Sequence, residues 1–391
     1  MSTAQSAVKS TWLLKPAELT LKGGNRKSFE NILKSNIMRM LPQDAVKLRT
    51  TDGRFFIEAP QEKTDVVESA LSRLIGISGW AKATVCPKTP EAVIAACAEE
   101  GIKLYALGAR TFKIDARRTD KSFPLSSYQL CCNAGEAVLE KASGIKVDIH
   151  NPQEIIRVEI REKAYIYSGG KKGLGGLPVG SAGKGLLLLS GGIDSPVAGF
   201  LMACRGMSIE AIHFHSYPYT SNEAKQKVMR LATIAGSYCM GIRLYILNFI
   251  KVQTRIKERA PEAWSTVLLR MAMMEAAEKT AEKTKAKCLI TGESLSQVAS
   301  QTVENLSCTQ SRIKLPVLRP LIGCDKQTII KTARKIGTYD ISIQPYEDCC
   351  VLFSPPHPIL HGNPHEARAL YETLELEPLI DESLRDYELV K

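Results

Sequence analysis

Residues 183–200 read GKGLLLLSGGIDSPVAGF: an apolar block, then Ser190-Gly191-Gly192-Ile193-Asp194-Ser195, then a helix-like segment. A buried strand that runs straight into a glycine turn and a helix start belongs in a parallel α/β sheet, where such turns bind phosphate. The Lys-Ser/Thr ending of a P-loop is missing, and so is GxGxxG. The chemistry in the turn is nonetheless legible. Glycine allows a tight turn that aims N–H groups at phosphate oxygens. Ser190 and Ser195 add hydroxyl donors, and the helix N-terminus favours negative charge. An acid beside phosphate, Asp194, calls for a metal between them, and Mg²⁺ is expected. No resident metal site is expected from the chain's own ligand spacing.

The segments after this turn keep alternating. LLLLS, IEAIHFH, IRLYILN and AKCLITGE are strand-like, and helical patterns separate them, the last two being a long helix around 261–284 and one in LSQVASQTVENL. That order predicts a doubly wound parallel sheet over 186–391, with ligands beyond the strand ends that carry SGGIDS, HFH and TGES. Upstream the pattern changes. Residues 11–86 read strand, helix, strand, strand, helix, strand, which is the split βαβ order of a ferredoxin-like α+β domain. Residues 89–168 give a second small α+β domain, with KVDI and IIRVEIREKAYIYS as strands around HNPQE. The expected divisions are 1–64 (extending to about 86 on the strand pattern), 65–170, a linker at 171–185, and 186–391. The stretch 168–185 holds eight glycines and three lysines, so it reads as flexible chain or as a basic hinge.

Charge follows the same division. Residues 1–185 carry 28 Lys and Arg against 19 acids, a net of +9, whereas 186–391 carry 24 against 22, a net of +2. A basic front half joined to a nearly neutral half fits a nucleic-acid-holding part attached to a catalytic part. No apolar run reaches membrane-spanning length, and the N-terminus lacks a secretory pattern, so a cytoplasmic protein with no membrane partner is expected. The 11 cysteines show no CxxC spacing and should be reduced thiols. Two doublets stand out, Cys131-Cys132 and Cys349-Cys350.

SGGIDS matches the signature of the PP-loop ATP-pyrophosphatases, which cut ATP between the α- and β-phosphates and adenylate a substrate. LLLLSGGIDSPVAGFLM, IHFHSYPYTS, LITGESLSQVASQT, LPVLRPLIGCDK and KIGTYDISIQPYEDCC, with LTLKGGNRKSFE and ARRTDKSFP upstream, resemble the tRNA uridine 4-sulfurtransferases of the ThiI type, in that family's order over residues 13–358. The resemblance implies a ferredoxin-like domain, a THUMP RNA-binding domain and a PP-loop catalytic domain. It implies adenylation of uridine O4 at tRNA position 8, followed by displacement of AMP by persulfide sulfur. ATP and Mg²⁺ are implied; an iron–sulfur cluster is not expected, because no convergent cysteine spacing announces one.

Residue by residue, the resemblance places Leu188, Leu189, Ser190, Gly191, Gly192, Ser195, His213, Phe214, Arg270, Gly292 and Gln301 at ATP, with Leu188 and Leu189 offering backbone groups. Asp194, Lys326 and Cys349 would carry the chemistry, Cys350 remaining open as the reactive cysteine. Asp325 is expected to cap the helix that starts at Lys326. Lys22, Asn25, Arg26 and Lys27, and Arg117, Arg118 and Lys121 beside Phe123, would touch tRNA phosphates and position the RNA without reading its bases. Ala17 stands where the family commonly has glycine. The rhodanese extension of some members is not expected, so an external cysteine desulfurase would load the sulfur. A thiamine sulfur-carrier protein is a further implied partner, tied to a second role in thiazole synthesis, and a homodimer is compatible. Two other readings stay open: a different PP-loop adenylating enzyme, amidotransferase-like, acting on RNA, and an RNA-binding protein without catalysis.

Overall fold

The structure is a computed structural model and describes residues 9–21, 24–42, 46–51, 53–346 and 355–391. The chain divides into two compact units, Met1–Gly176 and Leu177–Lys391.

In the first unit, β1 (Lys9–Pro16), α1 (Arg26–Met40), β2 (Lys47–Thr51), β3 (Arg54–Pro60), α2 (Thr64–Arg73) and β4 (Ile77–Cys86) form an antiparallel sheet in the order β2-β3-β1-β4. The alternation of β1 sends Trp12 and Leu14 to the helix side, where they pack with Leu33 and Ile37 of α1 and Val67 and Leu71 of α2. The helix α2 and strand β4 therefore share the core of β1–β3. The rest of the unit comprises α3 (Pro90–Ala106), β5 (Thr111–Arg118), α4 (Ser127–Lys141), β6 (Lys146–Val147), β7 (Glu154–Ile160), β8 (Ala164–Tyr167) and β9 (Lys171–Lys172). Thr89 caps α3 ahead of Pro90, and Ser126 with Gln129 makes a capping box on α4. Strand β8 pairs with β4, so the sheet continues as β8-β7-β5-β6. The KVDI strand shortens to β6 because the Asp148 carboxylate accepts N–H groups from His150 and Asn151, both at 2.9 Å, and turns the chain.

The glycine-rich stretch is hydrogen-bonded backbone. Strand β9 pairs with β4, and the N–H groups of Gly173 and Gly175 donate to Ser78 and Ile77 carbonyls at 3.0 and 2.8 Å. A Cβ on Gly173 would sit 2.3 Å from the Ile77 oxygen, so glycine here serves close strand approach and not slackness. Beyond Gly176, the N–H groups of Leu177 and Gly180 donate to Cys204 and Gly206 carbonyls within the second unit.

The second unit contains β10 (Lys184–Leu188), α5 (Asp194–Cys204), β11 (Ser208–His215), α6 (Asn222–Cys239), β12 (Leu244–Asn248), α7 (Ile250–Arg259), α8 (Ser265–Thr284), β13 (Leu289–Ile290), α9 (Val303–Gln310), β14 (Val317–Leu318), α10 (Lys326–Ile336), α11 (Tyr339–Ser342), α12 (Pro364–Thr373), α13 (Glu377–Ser383) and β15 (Glu388–Val390). Its sheet order is β14-β13-β10-β11-β12-β15, parallel except for the antiparallel edge strand β15. The long helix α8 sends Leu268, Ala272, Ala276 and Ala277 fully into the core, while most of its charged residues gather in its C-terminal half. LSQVASQTVENL is not a single helix. Ser296 takes a left-handed φ of 60°, and α9 starts only after Thr302, whose hydroxyl caps Asn305 N–H at 3.2 Å. Strand β10 leads rightward to β11, whereas β13 lies on its other side, so the winding direction reverses between β10 and β13. That reversal opens a crevice at their carboxyl ends. Among the described residues, no helix is long and apolar enough to cross a membrane.

Candidate functional site

A cavity of about 260 Å³ fills this crevice. It is lined by Leu188, Leu189, Ser190, Gly192, Asp194, Ser195, His213, Phe214, Arg270, Gly292 and Gln301, together with Met273, Met274, Thr291 and Glu293. Three strand ends, α8 and the short turn before α9 thus bring together every residue expected at the nucleotide except Gly191, which does not line the cavity.

The turn after β10 is held by its own serines. Ser190 N–H donates to Ser195 Oγ at 2.9 Å, the two hydroxyl oxygens lie 3.0 Å apart, and Gly192 N–H donates to Ser190 Oγ at 3.3 Å. Neither Gly191 nor Gly192 has a left-handed φ, so the turn does not need glycine for its backbone angles, contrary to the reading from sequence. A Cβ on Gly192 would meet only Ser190 Oγ, at 3.4 Å. The protein leaves that space open on the cavity wall, as a cradle for a ligand requires. Gly292 differs: a Cβ there would lie 2.7 Å from Ser195 N and 2.8 Å from its Cα. Glycine at 292 lets the TGES turn pack against the start of α5, a reason separate from contact with a nucleotide.

Asp194 and Lys326 meet at this site. Lys326 Nζ donates to Asp194 Oδ1 at 2.6 Å, and Gln297 Nε2 donates to Oδ2 at 3.0 Å. Lys326 is aimed there by the start of α10, where Asp325 accepts N–H groups from Gln327 and Thr328 at 2.9 and 3.0 Å. The Thr328 hydroxyl and these amides hold the Asp325 carboxyl below its ordinary range. Asp194 faces the cavity, and its partners are side chains that can swing away. It can therefore contribute one carboxylate to a Mg²⁺ ion carried by phosphates, the sparse protein ligation that Mg²⁺ accepts. Among the described residues, no group of three His, Cys, Asp or Glu side chains forms a metal cage.

The opposite wall holds a buried ion network that the sequence did not disclose. Glu293 sits between Arg270, in a short contact with its Nη2, and Arg319, whose Nε donates at 2.6 Å; the Thr291 hydroxyl donates at 2.8 Å. Burial pushes the Glu293 carboxyl up, but Arg270, Arg319 and Thr291 outweigh it, and the group titrates below the usual carboxylate range. Arg270 Nε is buried without a hydrogen-bond partner, an unmet donor beside a cavity where an anion would satisfy it. One signal for Glu293 was available. An Arg inside the apolar run LLRMAM needs a buried carboxylate, and TGES supplies one next to Gly292. Gln297, Met273 and Met274 left no comparable signal.

His213 is buried, and its Nδ1–H donates to the Leu189 carbonyl at 3.0 Å. Leu189 N–H donates to Ile212 O at 2.9 Å. Both backbone groups of Leu189 thus already have partners within the protein, the N–H from β11 and the carbonyl from the His213 side chain. Phe214 packs on Phe249 with ring centres 4.7 Å apart. With Leu188, Met273 and Met274 it gives the cavity an apolar side suited to a flat base. Gln301 lies in a short 3₁₀ turn before α9, where its Oε1 accepts Ser294 N–H at 3.4 Å.

In the first unit, Asn25, Arg26 and Lys27 are exposed at the start of α1, and Arg26 pairs with Glu30 at 2.8 Å. Arg117 and Lys121 face solvent. Arg118 does not stand free beside them: its Nη1 donates to the Phe123 carbonyl at 3.1 Å, tying down the turn, and Phe123 is buried in the core. Lys22, Cys349 and Cys350 lie outside the described residues. Cys131 donates its thiol to the Ile114 carbonyl at 3.5 Å. Burial pushes the Cys97 thiol up to about 12, and those of Cys204 and Cys288 to about 11, so these are apolar packing groups and not nucleophiles.

Comparison with known proteins agrees with this layout. The family described as "Thiamine biosynthesis protein (ThiI)" matches residues 180–376, the ThiI ferredoxin-like domain matches 11–81, and the THUMP domain matches 89–168. A probable tRNA sulfurtransferase of Treponema pallidum (strain Nichols) is 46% identical over 377 residues, covering 96% of this chain and 94% of that protein. Another from Caldanaerobacter subterraneus subsp. tengcongensis is 44% identical, covering 96% and 98%. The crystal structure of a 4-thiouridine synthetase–RNA complex with bound ATP superposes with a TM-score of 0.91 at 36% identity, covering 98% of this chain and 99% of that one. PH1313 from Pyrococcus horikoshii Ot3 shares the fold, with a TM-score of 0.64 at 23% identity over 84% of this chain and 99% of that one.

Proposed function

This chain belongs to the ThiI family of tRNA sulfurtransferases, and from that premise we propose how its own residues make 4-thiouridine. The chain is an enzyme that binds ATP and takes tRNA as substrate. The observation that carries the mechanism is the Asp194–Lys326 pair at a cavity built from the SGGIDS turn.

The base of ATP lies against Leu188, Phe214, Met273 and Met274, and its phosphates lie over Gly192 and the start of α5. Mg²⁺ arriving on ATP would be held by Asp194 and would neutralise charge on the departing pyrophosphate. Lys326, released from Asp194, stabilises the charge that develops as uridine O4 at position 8 of the tRNA attacks the α-phosphorus. The bond to the β-phosphate breaks, and pyrophosphate leaves. The uracil oxygen, otherwise a poor leaving group, now departs as AMP. The terminal sulfur of a Cys349 persulfide attacks C4, the C4–O bond breaks, and AMP carries away the electron pair. A thiol from an external dithiol reductant then attacks the Cys349 sulfur and breaks the S–S bond, leaving the terminal sulfur on the uracil. A cysteine desulfurase is the partner that this chemistry calls for. The same persulfide would serve a thiamine sulfur-carrier protein as second acceptor. Exposed Asn25, Arg26 and Lys27 hold tRNA phosphates together with Lys22, Arg117 and Lys121.

Lys326→Met tests the assignment. Pyrophosphate release that depends on both ATP and tRNA should fall about 100-fold, while tRNA binding stays unchanged. Unaltered release would remove Lys326 from the adenylation step.

A further inference from the structure

Lys227 occupies a place where lysine is costly. It sits on α6 in the buried stripe with Ala224, Val228 and Leu231, and is only 5% exposed. A long cationic side chain at a helix surface normally reaches for water. Here the ammonium turns inward, and its Nζ donates to the carbonyls of Gln344 at 2.9 Å and Tyr346 at 3.2 Å. Helix packing alone would be served by leucine or methionine at this position. The carbonyls give the ammonium partners: residues 343–346 follow α11 with no strand or helix of their own, and Lys227 ties that run to α6 through its backbone.

The same short run is fixed at a second point. Ser342, the last residue of α11, is buried and donates its hydroxyl to the Gly192 carbonyl at 3.3 Å. One end of the run therefore touches the SGGIDS turn, and the other hangs on Lys227. Three residues after Tyr346 the sequence reaches Cys349.

We propose that Lys227 is a positioning residue for sulfur transfer, anchoring the root of the cysteine-bearing segment beside the adenylation site without touching ATP or uridine. Its part lies in the second half-reaction only. This rests on the reading of Cys349 as the sulfur carrier.

The test compares Lys227→Met and the gentler Lys227→Gln with the parent in the full-length chain. Pyrophosphate release with ATP and tRNA should stay within about twofold of the parent. Conversion of adenylated tRNA to 4-thiouridine by the persulfide-loaded enzyme should fall about 10- to 100-fold in Lys227→Met, because misplacement of a reacting group is costly. Added free sulfide, which bypasses the cysteine, should narrow that gap. Amide hydrogen exchange at 339–346 should speed up, with exchange in β10 and β11 unchanged. Equal losses in both half-reactions, or in neither, would overturn the proposal, and so would unchanged exchange at 339–346. If Lys227→Met does not fold, Lys227→Gln must show the same split or the proposal falls. A parent chain that makes no 4-thiouridine would sink the functional reading instead, while the exchange measurement would still decide whether Lys227 anchors this run.

Discussion

Arg117 and Arg270 are the same residue type used in opposite ways, and they stand for the two units. In the first unit, cations such as Arg117, Lys121 and Lys27 face solvent. Their field is long-ranged, screened by salt and tolerant of exact placement, which suits a polyanion recognised by its shape. In the second unit the charges around the site are paired, and Glu293 at their centre is enclosed. Arg270 and Arg319 share Glu293, and Lys326 is bonded to Asp194. Paired charges act over a few ångströms and fix geometry. The front unit also buries a pair, Glu159 on β7 with Arg161 just past the end of that strand, at 2.9 Å. On the proposed reading, exposed net charge serves RNA binding, whereas charge paired at the cavity serves chemistry.

The contrast can be broken most severely at Glu293. Glu293→Gln leaves two buried guanidiniums without a counter-charge and should destabilise the protein by about 3–5 kcal/mol, measured by denaturant unfolding at neutral pH. The sign with pH follows from its lowered titration. Its contribution is complete above the ordinary carboxylate value of 4.5 and is lost as pH falls through the lower folded value, so parent and variant should converge in acid. Next comes Asp194→Asn, which should cut tRNA-dependent AMP formation by about 100- to 1,000-fold and leave tRNA affinity intact. Gly292→Ala forces a Cβ onto the Ser195 backbone. It should cost about 1–3 kcal/mol and weaken ATP binding, both readable by calorimetry. Smallest is Arg117→Ala, expected to weaken tRNA binding several-fold and to lower the salt slope of log K by about 0.7–0.9, with no change in ATP affinity. An ATP effect from Arg117→Ala, or an RNA effect from Asp194→Asn, would blur the division of labour.

Local signals carried much of this layout. The strand–turn–helix of residues 183–200, the alternation that follows it and the βαββαβ order at the front depend on periodicity and glycine, which are written in short windows. Asp325 as a cap was legible for the same reason. What escaped the sequence was long-range. Glu293 meets Arg319 across 26 positions, and Gln297 meets Asp194 across 103. The pairing of β15 with β12 depends on the end of the chain returning to the sheet edge. The break at Ser296 went unseen because LSQVASQTVENL has helix-compatible composition, and bonds such as those from Asn305 Nδ2 to the Ala299 and Ile359 carbonyls, the latter 54 positions away, help hold the turn. Lys227 had a faint signal, a charge in an apolar stripe, whose meaning depended on carbonyls more than a hundred positions away.

The account turns on adenylation of O4 before sulfur arrives. The direct test uses tRNA carrying ¹⁸O at O4 of uridine 8, incubated with the chain, ATP, Mg²⁺ and sulfide, with mass spectrometry of the nucleosides and of AMP. The account predicts 4-thiouridine at position 8 and one ¹⁸O in the AMP for each sulfur gained. Sulfur incorporation with unlabelled AMP, or labelled AMP with no sulfur in the tRNA, would contradict it.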